Sequence, residues 1–600
     1  MNKAKTLKRR LGNPKPFLRV AWDTDNIPDP VCINPNLKGL DINWKRVEKN
    51  VFKLQKLIYR ASSRGEIRKM RKYQRLLTKS YYPRLLAVRR VTQDNQGKKT
   101  AGVEGINNLP PMQDFNLLEL LNTRYFKASP TRRVWRPKPG RDEKPLLGIP
   151  TMYDRALQAL VKLAMEPEWE ARFEPNSYGL FQRSAHDAIG AIFDCIKHQP
   201  KYVLHADISK SMSRINHDAL LGQIAQSPYR RLVKQWLKSG VFDNKQLHQP
   251  LLGVCIPQEG VISPLLANIA LHGMEERLNE FAKTLDTKNR KGNQISWQNQ
   301  VSSLSLIRYE DDFVILHEDI KVVLQAKTVI QEWFNQVGLE LRSQKTKIAH
   351  TLEEYEGNKP GFDFLGFTIR QCQIKSTELG FKTLIKPSSK SIKTHYRKLA
   401  DICNDNKTVP AKALIAKLNP VIIGWANYFS ALVSKEIFNK LDMLLWKRLW
   451  RWASRRHPNK SAAWVKQKYF PKVKETRNWA FKDGEYILNL HRDVPMIRHI
   501  KVKGNKSSYC EDSTYWSNRV GKYPGVKKEV TTLLKRQKSK CAFCGLTLRP
   551  NDLRSVDHIR LRSKGGDNIN NEQLLHRYCH DTRIDLDKKT YPKPKVTGFT

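Results

Sequence analysis

Acidic residues are scarce in this chain. It has 57 Asp and Glu against 108 Lys and Arg, a formal net charge of +51. Such an excess is too large for a neutral enzyme surface and implies a polyanionic partner, most simply RNA or DNA. Long apolar runs are missing too. No stretch of 18 apolar residues exists to span a bilayer, and no basic amphipathic helix adjoins a lipidation motif, so no membrane partner is expected. Cysteine is sparse, with nine in 600 residues, which rules out a disulfide scaffold. Cys32, Cys195, Cys255, Cys372, Cys403 and Cys510 are scattered and read as reduced thiols, pointing to a reducing compartment. The start is basic (Lys3, Lys5, Lys8, Arg9, Arg10) but lacks the apolar region of a secretory signal. No acid precedes Asp23, yet Pro14 and Pro16 would spoil the amphipathic helix of an organelle presequence.

What is present suits a folded, multidomain α+β protein. Hydrophobic content is 40%, and the length allows three or four domains, each with its own core. Residues 1–42 are Pro- and Asn-rich and read as irregular. Residues 43–90 carry apolar residues at helical spacing, with Lys and Arg on the other side. From about 100 to 380, apolar strands (Tyr202–Leu204, Leu306–Leu316) mix with helices expected at 155–165, 218–238, 262–280 and 320–336. Residues 390–470 look all-helical and hold Trp425, Trp446, Trp450, Trp452 and Trp464, most of them expected in a bundle core. Residues 500–530 are polar and basic and read as a linker, and residues 531–585 form a compact Cys/His module.

Two constellations carry chemistry. In Leu304–Leu316, two apolar runs flank Asp311-Asp312, a pattern that predicts a hairpin with the acids at its tip. Adjacent carboxylates repel, and they need a divalent cation, a basic partner or open solvent. Upstream, the apolar strand Tyr202–Ile208 contains Asp207. Two-metal phosphoryl transfer uses carboxylates from separate strands, so Asp207, Asp311 and Asp312 are the candidate catalytic and metal-binding acids. In the last module, Cys541-x-x-Cys544 and His576-x-x-Cys579 supply four ligands suited to tetrahedral Zn²⁺. Between and after these half-sites come Asp557-His558, Asn571 and His580. That order resembles an HNH nuclease of ββα fold. The resemblance assigns His558 as general base and Asp557 and His580 as ligands of the catalytic metal. It makes Asn571 the residue that pins the loop positioning His558, with the Cys/His set holding a structural zinc.

From about Ile42 to Lys588 the chain resembles group II intron-encoded proteins: reverse transcriptase, maturase domain, then HNH endonuclease. The motifs that carry this are Thr100–Ile106, Leu147–Thr151 with Asp154-Arg155 and Gln158, Asn176–Gly179, and Ser184–Ala188. Further on come Asp207-Ile208 with Ile215–His217, Gln258 with Gly260–Asn268, Gly338–Leu341 with Lys345–Ile348, and Gly361–Phe367. The maturase part is carried by Leu418–Pro420, Gly424-Trp425, Asn427–Phe429, Leu449–Trp452 and Arg455–Pro458. The resemblance implies right-hand polymerase fingers and palm over 43–380 and an α-helical thumb/maturase domain over 381–485. A basic DNA-binding linker region (486–530) and a small ββα HNH zinc module (531–588) would follow. It also implies Mg²⁺ (or Mn²⁺) at the polymerase and HNH sites. Lys138, Gln258 and Lys345 would bind nucleotide or template, and Arg451, Arg455 and Arg456 are the RNA-contact candidates. The partners implied are the host intron RNA and target DNA, with a homodimer left open. The compartment implied is bacterial cytoplasm or an organelle that encodes the protein.

The departures from the family pattern cluster around one nucleotide pocket. Glu310 stands where the family has a small residue, so Tyr-Ala-Asp-Asp reads Tyr-Glu-Asp-Asp. Ser211-Met212-Ser213 replaces Cys-Phe-Asp, losing the aromatic that floors the sugar site. Glu259 replaces a glycine next to Gln258, and Pro145-Leu146 replaces the arginine-bearing Arg-Pro, leaving Lys144 or Lys138 as a point charge. Near Leu180–Arg183 the chain is about one residue short of the pattern. The expectation is weak or absent DNA synthesis with RNA binding kept, hence a maturase that promotes splicing of its host intron. An active target-primed reverse transcriptase and a non-catalytic RNA-binding splicing cofactor are the alternatives.

Overall fold

The fold was examined in a computed structural model. It describes residues 42 to 583 except 95–99, 107–110, 136–145, 180–182, 209–214, 249–259, 286–295, 343–345, 473–479, 511–514, 520–525, 561–568 and some shorter stretches. Its residues divide into two compact units, one of 1–171 with 212–269, the other of 172–211 with 270–600.

In the first unit, the basic stretch forms three helices, Trp44–Ser63, Ile67–Lys79 and Tyr81–Arg89. Their apolar stripe, including Val47, Val51, Ile58, Met70 and Leu77, is buried. They pack on helix Met152–Glu170, where Arg71 and Gln74 both reach the buried Glu168 carboxylate at 2.7 Å. Two sequence motifs meet at the start of that helix. Thr151 caps it by accepting from the Asp154 amide, while Arg155 donates to the carbonyls of Pro150 (2.9 Å) and Thr100 (2.7 Å). Asp154 is buried and accepts from Trp236 Nε1 at 3.1 Å. Burial pushes its carboxyl up to about 6, against the hydrogen bonds from Thr151 and Trp236. A four-stranded sheet, Leu146–Ile149, Thr131–Trp135, Val241–Asp243 and Gln246–His248 in that order, completes this unit.

The second unit centres on a five-stranded sheet in the order Ser177–Tyr178, Ser305–Tyr309, Asp312–His317, Tyr202–Asp207, Lys347–His350. Its central strands are near-continuous Val, Ile, Leu and Phe, and Val203, Leu204, Phe313, Val314, Ile315 and Leu316 are fully buried. Helix Ile320–Gln336 covers Phe313 with Phe334. A three-stranded sheet, Phe362–Phe364, Phe367–Gln373 and Phe381–Pro387, shares a core with Phe429 and Phe438 of the helical region that follows.

That region has the helices Ser389–Asp405, Ala411–Phe429, Lys435–Arg456 and Ala462–Tyr469. Trp452 is buried, and Trp446, Trp450 and Trp464 lie half-buried against the same core, as the bundle expectation requires. Its centre holds a polar chain. Asp442 Oδ1 lies 2.6 Å from His491 Nδ1, and His491 Nε2 lies 2.7 Å from His395 Nε2. With Asp442 ionised, His491 donates from Nδ1 and accepts at Nε2, so neutral His395 must be the donor. Burial, then the neighbouring His491 and Lys398, lower the His395 pKa to about 3. Between the ordinary histidine range near 6.5 and about 3, only the unfolded chain takes up this proton. Stability of the helical region should therefore fall on acidification below about pH 6.5, by up to ~1.4 kcal/mol per pH unit. Melts at pH 7.5 and 5 should show the drop, and His395→Gln should flatten it.

The segment expected as a linker is not loose where it is described. Val502, Tyr509, Trp516 and Arg519 are buried, and Val502 N and Arg519 Nη2 both donate to Asp187, at 2.8 and 2.6 Å. One of its basic residues, Arg519, is thus spent on a buried acid. No helix among the described residues is long and apolar enough to cross a membrane.

Candidate functional sites

The strand pairing brings the three sheet acids to one end of the sheet. Tyr309 pairs with Asp312, so the hairpin turns through Glu310 and Asp311, and Asp312 is the first residue of its strand. The tip thus lies one residue earlier than the sequence pattern suggests. A two-residue turn requires positive φ, and Glu310 supplies it at 54°. Asp312 faces Asp207 across the sheet, and Ile208 N donates to Asp311 O at 3.2 Å.

A buried arginine holds the turn from below. Arg308 donates to the Glu310 carbonyl at 3.2 Å and to Ser177 Oγ, and Glu174 and Glu275 oppose its charge from nearby. Glu275 accepts from Asn176 Nδ2 at 2.8 Å, and burial drives its carboxyl up to about 7. The Glu310 carboxylate packs against Gly179, where an added Cβ would come within 2.8 Å of Glu310 Cγ. Partial burial and the Asp311 charge raise its pKa, consistent with like-charge crowding at this turn.

Asp207, Asp311 and Asp312 do not form a three-ligand group. Among the described residues, the one group of three or more His, Cys, Asp or Glu with ligand atoms within 4.8 Å of one another is Cys541, Cys544, His576 and Cys579. Asp207 is buried and pairs instead with Arg342, Nη1 to Oδ2 at 3.4 Å. The sheet thus sets carboxylates of two paired strands side by side, with a cation on Asp207 Oδ2. Lys138, Gln258 and Lys345 lie outside the described residues, as do Glu259 and Ser211–Ser213.

The Cys/His module is better organised. The chain turns after Cys544 through Gly545, at φ 70°, where Gly545 N donates to Cys541 O at 2.8 Å. Strands Arg554–His558 and Glu572–His576 form an antiparallel pair that brings His576 to the cysteines. His576 Nδ1 lies 3.3 Å from Cys544 Sγ and 4.0 Å from Cys579 Sγ, and all four side chains are buried. On the other side of the ring, Asp552 is 3.5 Å from Nε2. A carboxylate there orients the imidazole so that Nδ1 faces the sulfurs. Burial disfavours charge on His576, but Asp552 and the cysteine sulfurs outweigh it and raise its pKa to about 11. Four buried soft or borderline donors with ligand atoms within 4.8 Å of one another fit a tetrahedral metal ion.

Beside it, Asp557 Oδ1 lies 4.0 Å from His580 Nε2. Donors sharing one metal at ~2.1 Å can lie no more than about 4.2 Å apart, so this pair fits a single ion. Asp557 Oδ2 is held by Gln573 at 3.2 Å and by Arg583. Asn571 is tied to both residues that follow His558. Its carbonyl accepts from Ile559 N at 2.7 Å, and its side chain exchanges hydrogen bonds with Arg560 N (2.9 Å) and Arg560 O (3.1 Å).

On helix Lys435–Arg456, Arg451 and Arg455 are exposed. Arg456 is engaged internally: it stacks on Trp452 at 4.7 Å and donates to Val409 O at 2.7 Å. It is a packing residue here, which weakens its candidacy as an RNA contact. Arg342, Asp552, Arg308 and Arg583 were not singled out by sequence, because each matters through a partner distant along the chain.

The order of domains is matched by known families. Residues 40–121 match the N-terminal domain of reverse transcriptase, and 136–369 match reverse transcriptase (RNA-dependent DNA polymerase). Residues 392–470 match the group II intron maturase-specific domain, and 541–585 match HNH endonuclease. "Protein YkfC" of Escherichia coli is 31% identical over 49% of this chain and 83% of its own length. The chain belongs to the group II intron-encoded protein family. "Group II intron-encoded protein LtrA" of Lactococcus lactis is 25% identical over 46% of this chain, and the match spans only about half of that relative, 53%. "Maturase-like protein 1" of Euglena gracilis is 25% identical over 64% of this chain and 76% of its length. As a group II intron-encoded protein, the chain joins a reverse transcriptase region and a maturase region to an HNH module.

Proposed function

We propose that this protein is a group II intron maturase that binds its host intron RNA and promotes splicing, with an HNH module that cleaves DNA during intron mobility. The observation that carries the reading is the contrast between sites: the four Cys/His ligand atoms lie within 4.8 Å of one another, whereas at the polymerase sheet Asp207 is paired with Arg342 and Glu310 crowds Asp311. In this reading residues 43–380 are fingers and palm, residues 381–485 are the thumb, and 486–530 approach DNA. The basic helices near the start and the exposed Arg451 and Arg455 face RNA, whose folded shape is recognised through phosphates rather than base edges. Binding only the folded intron stabilises it by mass action, and the RNA supplies the splicing chemistry.

In the HNH module, a structural Zn²⁺ would be held by Cys541, Cys544, His576 and Cys579 in a ββα fold. Asp557 and His580 would hold a catalytic Mg²⁺ or Mn²⁺, which when bound offsets the charge developing on the scissile phosphate. His558 accepts a proton from the attacking water. Asn571 fixes the backbone beyond His558 and so aims the imidazole, and Gln573 and Arg583 fix Asp557.

The test is splicing of the host intron at low Mg²⁺, with and without the purified chain, beside primer extension on an RNA template in Mg²⁺ and Mn²⁺. Splicing should accelerate at least tenfold, equivalent to about 1.4 kcal/mol in favour of the active RNA fold. Extension should be weak in both metals. Equal splicing rates with and without protein would overturn the maturase reading; robust extension lost in Asp311→Ala would restore the polymerase.

A further inference from the structure

Between Met443 and Lys472 the chain carries nine Lys or Arg residues and no Asp or Glu. Five of the nine lie on helix Lys435–Arg456. Two others are drawn to a single ring just beyond it. Helix Ala462–Tyr469 starts at Ser461, whose side chain accepts from Trp464 N. Lys468 lies four residues after Trp464, so helical spacing puts both on one face. Lys460 precedes the cap, and its amide donates to His457 O at 3.1 Å. Lys468 Nζ thereby stands 4.7 Å, and Lys460 Nζ 5.7 Å, from the centre of the Trp464 ring.

The ring is held from behind. Trp464 lies half-buried on the bundle core, and His457 meets it edge-on at 4.8 Å. His457 Nε2 is 2.8 Å from the hydroxyl of Tyr469, which is buried and stacks on Phe481. The backbone therefore sets where the two lysines emerge, and the ring gives each ammonium a surface to rest on. Both lysines are exposed, and neither is paired with a carboxylate among the described residues. Cation–π contact holds an ammonium without neutralising it, so both charges stay open to an anion from solvent. His457 registers the same field. Desolvation, then Lys468, Arg456 and Lys460, lower its pKa, and all three of those charges are cations.

The chemistry on offer is narrow. Two ammonium groups supply donors and no acceptor, and each acts as a compact point charge. That suits the phosphates of a nucleic-acid strand, whose contacts need charge and tolerate small changes of position, better than base edges. We propose that Lys460 and Lys468, gathered at Trp464, bind the phosphate backbone of the intron RNA, one phosphate to each ammonium. This rests on the maturase reading, since both lysines fall within the maturase-specific region, 392–470. It gives that region a defined contact besides the exposed Arg451 and Arg455.

The experiment measures the affinity of the full chain for the host intron RNA over a range of KCl concentrations. Each phosphate contact adds roughly 0.7–0.9 to the slope of log affinity against log salt. Lys460→Gln with Lys468→Gln should therefore flatten the slope by about 1.4–1.8, and weaken binding at least about fivefold at moderate salt. Each single change should account for about half of the flattening, and the singles serve if the pair does not fold. Lys321→Gln with Lys327→Gln removes the same charge from helix Ile320–Gln336 and should leave the slope within about 0.5 of wild type. None of these four lysines is buried. An unchanged slope on removing Lys460 and Lys468 would overturn the site, as would equal flattening by the control pair. Flattening with duplex DNA and not with the intron RNA would overturn the assignment to RNA. Splicing stimulation is scored separately. A chain that shows the slope change without stimulating splicing would lose the maturase reading and keep this site, and one that stimulates splicing without the slope change would do the reverse.

Discussion

Replacing Cys544 with Ser should unfold the module of residues 531–583 and reduce DNA nicking at least ~100-fold, leaving the remainder of the chain intact. The reason is the size of its core. Leu533, Leu534, Leu548, Leu574 and Leu575 are buried there, each worth roughly 1.5–3 kcal/mol. A piece this small cannot offset its chain entropy on that core alone. A structural zinc supplies about 10–16 kcal/mol, enough to decide folding. The buried Cys541, Cys544, His576 and Cys579, with Asp552 behind the imidazole, are the residues that would hold it. The wild-type chain should release about one zinc per molecule to a chromogenic chelator, and the variant should release none. Limited proteolysis should then remove the C-terminal module of the variant first. A Cys544→Ser chain that keeps its nicking rate and protease resistance would show that the four residues hold nothing.

Asp187→Ala should cost about 3–5 kcal/mol locally, because it strands a buried arginine. Asp187 is fully buried and does two jobs. It closes the capping box with Ser184 at the start of helix Ala185–Ile196. It also accepts from Val502 N at 2.8 Å, His499 Nε2 at 3.1 Å and Arg519 Nη2 at 2.6 Å. Burial works against its charge, but His499, Arg519 and the Ser184 amide hold its pKa well below the ordinary carboxylate range. Its stabilising effect is therefore present above about pH 4 and lost as the pH falls through the lowered folded value. Hydrogen exchange gives the local readout. The Val502 amide and residues 499–509 should lose protection in Asp187→Ala, and Asp187→Asn, which keeps one acceptor oxygen, should lose less. Unchanged exchange at Val502 in the alanine variant would refute the hub.

Much of the fold was legible from local pattern. The 320–336 helix expected from periodicity is the helix Ile320–Gln336, and the apolar runs around Asp311 form the expected hairpin. The helices expected at 218–238 and 262–280 are each split in two. In the second, Gly273 at φ 100° breaks the backbone between Ala270 and Met274, where apolar periodicity alone runs straight through. The stretch read as a linker places Arg519 on the buried Asp187, and composition cannot tell a solvated charge from a buried, partnered one. Arg451 and Arg456 look alike in sequence, yet one is exposed and the other is spent on Trp452 and Val409.

The sequence by itself determined the family, the domain order, the polyanionic partner and the ligand types of the Cys/His module. Those follow from residue type, spacing and net charge, which need no coordinates. The tertiary structure alone decided which cation stands beside Asp207, because Arg342 is distant along the chain and is brought there by the Leu341–Ile208 bridge. Residue types state what chemistry is available, and only packing fixes which charges stand close enough to use it.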